Sequence, residues 1–77
     1  CVDMTKLVHA LGGKENIKNI EASMSKVTIE FEEKKLLDID MIKSLGASGI
    51  VQNQAKLSII FGKVSETVAL ELKDYMK

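Results

Sequence analysis

The chemistry-bearing residues of this chain are few and scattered. His9 is the only histidine and Cys1 the only cysteine. A structural zinc site takes four Cys or His ligands, so that class is excluded, and one cysteine cannot close an intramolecular disulfide. His9 stands beside the apolar stripe of a helical segment and reads as a surface or boundary histidine without a catalytic role. Cys1 sits at a chain end, where a frayed thiol is not expected to be a reactive group. Asp38 and Asp40 are two apart and do not share a helix face, and helix capping accounts for Asp38. The glycines fit caps and turns, and none lies at P-loop spacing. No nucleophile–base pair is visible from spacing alone.

The bulk properties narrow the classes further. The chain has 77 residues, with Lys+Arg 11 balancing Asp+Glu 11. Nucleic-acid binders usually carry a basic excess, which is missing here. Hydrophobic residues at 45% and charged residues at 29% fit a folded domain rather than disorder. No apolar run approaches the ~18 residues of a membrane span, and no secretory signal is visible. Aromatics are scarce, at 4% with no Trp, so the core is aliphatic and a deep pocket for a large organic cofactor is not expected. Function is expected on an exposed loop or strand end. The chain begins without Met in a helical pattern, which suggests a single domain, 1–77, cut from a longer polypeptide.

Periodicity places the elements. Met4, Leu7, Val8 and Leu11 form one helical face, with Asp3 as N-cap and Gly12-Gly13 as the stop. Lys14 to Asn16 reads as a polar connector. Ile20, Ala22 and Met24 alternate, and so do Val27, Ile29 and Phe31, but the two registers are offset. A hairpin turning at Ser23 to Lys26 lets both sets face one core. Glu32 to Lys35 is a charged loop. Asp38 caps a short helix carrying Ile39, Ile42 and Leu45, followed by Gly46 and Gly49. Ile50 to Gln52 and Leu57 to Phe61 make a second hairpin turning at Asn53 to Lys56, ended by Gly62. Residues 63–76 form the last helix, with Val64, Val68, Leu72 and Tyr75 on its apolar stripe. The order αββαββα predicts an α+β two-layer sandwich: a four-stranded antiparallel sheet of two hairpins with three helices on one face.

One stretch carries more than a fold. Leu11-Gly-Gly-Lys-Glu-Asn-Ile17, followed by Asn19-Ile-Glu-Ala-Ser-Met-Ser-Lys-Val-Thr-Ile29, resembles the enzyme IIB domain of the glucose/sucrose-type phosphoenolpyruvate-dependent sugar phosphotransferase system (PTS). That family's pattern runs roughly G-G-x-x-N-I-x-x-L/V-D/E-x-C-x-T-R-L-R. Asp38 to Ile50 is similar to its short helix and L-G-A-x-G-V turn, and Leu57 to Gly62 to its V-Q-x-I-x-G segment. The resemblance extends from about Met4 to Met76, nearly the whole chain, and several landmarks keep register without a gap. It implies a bacterial cytoplasmic domain of a membrane permease. There a IIA domain donates a phosphoryl group from phosphohistidine to the IIB cysteine, which passes it to a sugar bound by the membrane IIC domain. No cofactor or metal, no nucleic acid and no direct membrane insertion is implied, and the sugar is met only through IIC. A cysteine suits the step because a modest pKa drop makes it a strong nucleophile, and arginine forks match phosphoryl oxygens.

This sequence departs from the pattern at those positions. Ser23 stands at the cysteine place, Lys26 and Thr28 at the two arginines, and Ser58 at the glutamine. Lys26 keeps one charge without the planar fork, and Thr28 keeps none. Three readings stay open: a degenerate domain that docks or regulates without carrying phosphate, an engineered Cys→Ser block, or phosphorylation of Ser23 itself. A fold-only resemblance would leave a small regulatory or interaction domain as the default. Phe31 and Phe61 fit the core register, so a base-stacking, RNA-reading sheet is not expected.

Overall fold

The computed structural model describes residues 2–77, so the expectation for Cys1 lies outside the described residues. Helix α1 spans Met4–Ala10, and the Asp3 carboxylate caps it by accepting from the Thr5 and Lys6 N–H groups at 3.0 and 3.3 Å. Leu7, Val8 and Ala10 are buried beneath it, with Leu11 just beyond. Gly12 stops the helix with φ +94°. A Cβ there would stand 2.7 Å from both Asn16 Nδ2 and Leu36 Cβ, so the position excludes any side chain on space as well as on backbone.

Strands β1 (Ile17–Ala22) and β2 (Val27–Phe31) form the first hairpin. Helix α2 (Ile39–Ser44) follows, with the Met41 N–H donating to Asp38 Oδ1 at 3.1 Å. Strands β3 (Gly49–Asn53) and β4 (Lys56–Ile60) form the second hairpin, and α3 spans Ser65–Met76. The sheet order is β1-β2-β4-β3, antiparallel throughout, so β4 returns beside β2 and leaves β3 at the far edge. Val27, Ile29 and Phe31 of β2 and Leu57 and Ile59 of β4 point to the helix side, where they meet Leu7, Leu11, Ile42, Val68 and Leu72. The α+β sandwich and its element order agree with the expectation from periodicity, and Phe31 and Phe61 are core residues.

Three packing details differ from the periodic reading. The β1 core residues are Ile17 and Ile20, three apart, because the register slips between Ile17 and Asn19 in a bulge. Ala22 and Met24 are exposed, Met24 to 86%. On α3 the buried stripe is Ser65, Val68, Ala69 and Leu72, while Val64 and Tyr75 are on the surface. The buried stripe thus includes two small residues, Ser65 and Ala69, that the pattern of large apolar residues leaves out. Tyr75 lies at the rim, with Lys14 Nζ 5.1 Å from its ring centroid. The Lys14–Asn16 connector also hides a buried polar residue. Asn16 Nδ2 donates to the Leu11 and Glu33 carbonyls at 2.8 and 3.1 Å, and its Oδ1 accepts from the Glu32 and Glu33 N–H groups at 3.2 and 2.6 Å.

Candidate functional site

The sheet presents two different surfaces. The helix side is closed by the core, and the opposite side is open. Ala22↔Val27 is the last pair of the first hairpin, after which the chain turns through Ser23–Lys26. The Ser23 N–H donates to the Lys26 carbonyl at 2.9 Å and closes the turn. The Ser23 hydroxyl reaches the same carbonyl at 3.5 Å, a long and weak contact. The Gly62 N–H donates to the Ser25 carbonyl at 3.0 Å and ties the turn to the segment leading into α3. Gly62 can do so because its φ is +70°, with open space where a Cβ would point. Every residue from Ala22 to Lys26 is exposed. The turn is therefore anchored at both its closing pair and its tip, yet open to a partner.

The four expected site residues fall into two pairs. Ser23 and Lys26 share the turn. Thr28 and Ser58 are directly opposed on β2 and β4, with hydroxyl oxygens 3.2 Å apart, on the open face. Glu21 faces Thr28 from β1. Among the described residues no hydrogen bond joins the two pairs, and Lys26 forms no ion pair. His9 is elsewhere: it lines an open depression with Gly12, Gly13 and residues 35–40, none of them from the Ser23 turn. No group of three or more metal-ligating side chains occurs among the described residues.

Chemically this is a shallow, solvated site. An alkoxide nucleophile needs an adjacent base, and the Ser23 hydroxyl faces a backbone carbonyl, which accepts a hydrogen bond but cannot take a proton. Lys26 supplies a single mobile cation. Thr28 and Ser58 offer hydroxyls already bonded to each other. Spacing did not reveal the Gly62 tie or the exposure of Met24. The signal for the first was a glycine directly after a strand and Phe61. The second was masked by Met24 continuing the Ile20, Ala22 alternation past Ala22, where the strand ends and the turn begins.

No family model matches the chain. Over 71 residues, 92% of the chain, it is 31% identical to the PTS system glucoside-specific EIICBA component of Staphylococcus carnosus (strain TM300). Over the same length it is 32% identical to the PTS system glucose-specific EIICBA component of that organism and 34% identical to that of Staphylococcus saprophyticus subsp. saprophyticus. The chain spans about 10% of the length of these relatives. Among solved structures, it matches the crystal structure of one domain of the PTS system IIabc component from Clostridium difficile. The TM-score is 0.79 at 14% identity, covering 95% of this chain and 77% of that one. The fold is thus that of a PTS domain, and the sequence is similar to one segment of PTS sugar-specific EIICBA components.

Proposed function

We propose that this chain is an EIIB-type domain of a PTS sugar permease, in which Ser23 replaces the phosphoryl-accepting cysteine and phosphoryl transfer is lost or severely reduced. The observation that carries the reading is the place and surroundings of Ser23. It stands at the motif's cysteine position, in an anchored, exposed turn at the end of β1, and its hydroxyl faces only the Lys26 carbonyl. The similarity over 71 residues to EIICBA components supports the assignment of the domain.

The chemistry follows from the side chains. In a cysteine-bearing IIB domain a thiolate attacks the phosphohistidine phosphorus, the P–N bond breaks and an S–P bond forms; the phosphoryl group then leaves sulfur for a sugar hydroxyl. A thiol reaches its thiolate near neutral pH, whereas a serine hydroxyl without a base does not reach its alkoxide. The three phosphoryl oxygens would meet one lysine here instead of two arginine forks.

In this reading the partners are a IIA domain and a membrane IIC domain, on the same polypeptide or on separate ones. The site lies on the cytoplasmic side of a permease and holds no cofactor. No helix among the described residues is long and apolar enough to cross a membrane. A non-transferring domain that still docks is favoured by Met24, whose 86% exposure at an anchored tip offers an apolar contact to a partner.

Two measurements test this. Amide chemical-shift changes on adding a glucose-type IIA domain should map to Ala22–Lys26, Thr28 and Gly62; changes mapping elsewhere, or none, would contradict the docking reading. In a rescue series, Ser23→Cys alone should restore little transfer. Adding Lys26→Arg and Thr28→Arg should raise the rate by roughly tenfold or more, the scale of one charge-assisted pair. Full activity from Ser23→Cys alone would mean that the serine is an isolated block in an otherwise competent site.

A further inference from the structure

The two edges of the sheet are built differently. On β1, Lys18 pairs with Glu32 at 3.2 Å, Glu21 adds a second charge, and the bulge between Ile17 and Asn19 breaks the ladder. These are devices that discourage another strand from pairing. Strand β3 has none of them. It pairs with β4 in unbroken register from Gly49↔Ile60 to Asn53↔Lys56, and the sequence from Ser44 to Ala55 carries no charge and no proline. Val51 is 56% exposed on its open face.

A cavity of about 340 Å³ lies beside this edge, lined by Lys34, Leu37, Ile39, Lys43, Ile50 and Gln52. Ile50 and Gln52 pair with the buried Ile59 and Leu57, so they face the helix side of the sheet, as the cavity does. Neither Lys34 nor Lys43 forms an ion pair among the described residues. Asp38 and Asp40 line the adjoining depression with His9, which shares Leu37 and Ile39 with the groove but not its lysines. The groove is therefore apolar at its floor and basic at its rim.

We propose that the β3 edge and this groove form a docking site for an extended acidic segment that adds as a fifth strand. Main-chain pairing with Gly49–Asn53 would supply register, as in strand addition generally. Side chains alternate, so every second residue faces the groove. The fitting pattern is acidic-x-apolar-x-acidic: the apolar residue enters between Leu37, Ile39 and Ile50, and the carboxylates flank it towards Lys34 and Lys43. A second copy fits less well. Antiparallel pairing about Val51 would place both copies' Lys34 and Lys43 on the same side of the joined sheet, like charges beside like charges.

The test uses the full chain and the peptide acetyl-Ser-Asp-Thr-Ile-Thr-Asp-Ser-amide, followed by amide chemical shifts and hydrogen exchange. Shifts and slowed exchange should appear at Gly49–Asn53, with further shifts at Leu37 and Ile39. Lys34→Gln with Lys43→Gln should weaken binding about threefold to tenfold, the range expected for two partly exposed ion pairs. A peptide with lysine at both aspartate positions should bind weaker by at least that factor. The proposal is overturned by equal binding of the lysine peptide, by shifts confined to another surface, or by no shifts at millimolar peptide. It is also overturned if β3 amides become protected with rising protein concentration and no peptide, which would mean that a second copy covers the edge. None of these results bears on Ser23, whose role is tested separately.

Discussion

Asn16 joins three parts of the chain through one side chain. Its amide donates to the end of α1 and to Glu33, and its oxygen accepts from the Glu32 and Glu33 N–H groups. At 2% exposure, all four bonds depend on that single residue. Asn16→Ala removes the side-chain partner of the Leu11 and Glu33 carbonyls and of the Glu33 N–H, while the Glu32 N–H keeps the Asn16 main-chain carbonyl at 3.1 Å, and a loss of about 2–4 kcal/mol is expected. Urea unfolding checks this, with the midpoint falling and the slope unchanged. The sequence shows Asn16 as part of a G-G-x-x-N-I run, but three of its four hydrogen bonds go to Glu32 and Glu33, 16 and 17 residues further on. Spacing alone cannot foresee a contact that the fold has to create. Ser23 is the opposite case. Its place at a turn was legible because the offset of the two alternating apolar sets demanded a reversal there. That its hydroxyl finds only a carbonyl required the turn's geometry.

At the level of elements, the connections are more tightly specified than the strands. Gly12 and Gly46 both have positive φ, +94° and +113°. At Gly46 a Cβ would meet nothing within 4 Å, whereas at Gly12 it would meet Asn16 and Leu36 at 2.7 Å. Gly46→Ala should therefore cost only its backbone strain, about 1 kcal/mol. Gly12→Ala should cost at least about 2 kcal/mol more, because it also displaces Asn16 or Leu36. Thermal unfolding of both variants under one condition checks the order. The β1 bulge accounts for Ile17 and Ile20 lying three apart in the core, whereas Ala22 keeps the register and is exposed because it is the last residue of the strand, with Met24 beyond it in the turn. On α3 the buried stripe includes the small Ser65 and Ala69, which a search for large apolar residues passes over.

For the molecule as a whole, stability rests on one aliphatic layer between sheet and helices. A domain of this length has about 4–12 kcal/mol in total. Leu57 is fully buried at the centre of that layer. Leu57→Ala is expected to cost about 2–5 kcal/mol, a large share of the total, while Ile29→Val should cost about 0.5–1.5 kcal/mol. Denaturant midpoints of the two variants should differ accordingly. This robust part of the design was legible in the sequence, because period-2 and period-3.6 patterns determine which faces meet. On the proposed reading function rests on the exposed turn and the open face of the sheet, where few residues are constrained by packing and identity depends on side-chain chemistry. There, on the proposed reading, an EIIB-type scaffold carries an acceptor position that no longer takes up phosphate. The most direct test is the intact mass of the chain after incubation with phosphoenolpyruvate, the general phosphotransferase proteins and a glucose-type IIA domain, beside a cysteine-bearing IIB control. The expected result is an unchanged mass for this chain and one added phosphoryl group on the control. One phosphoryl group gained and mapped to Ser23 would contradict the proposal.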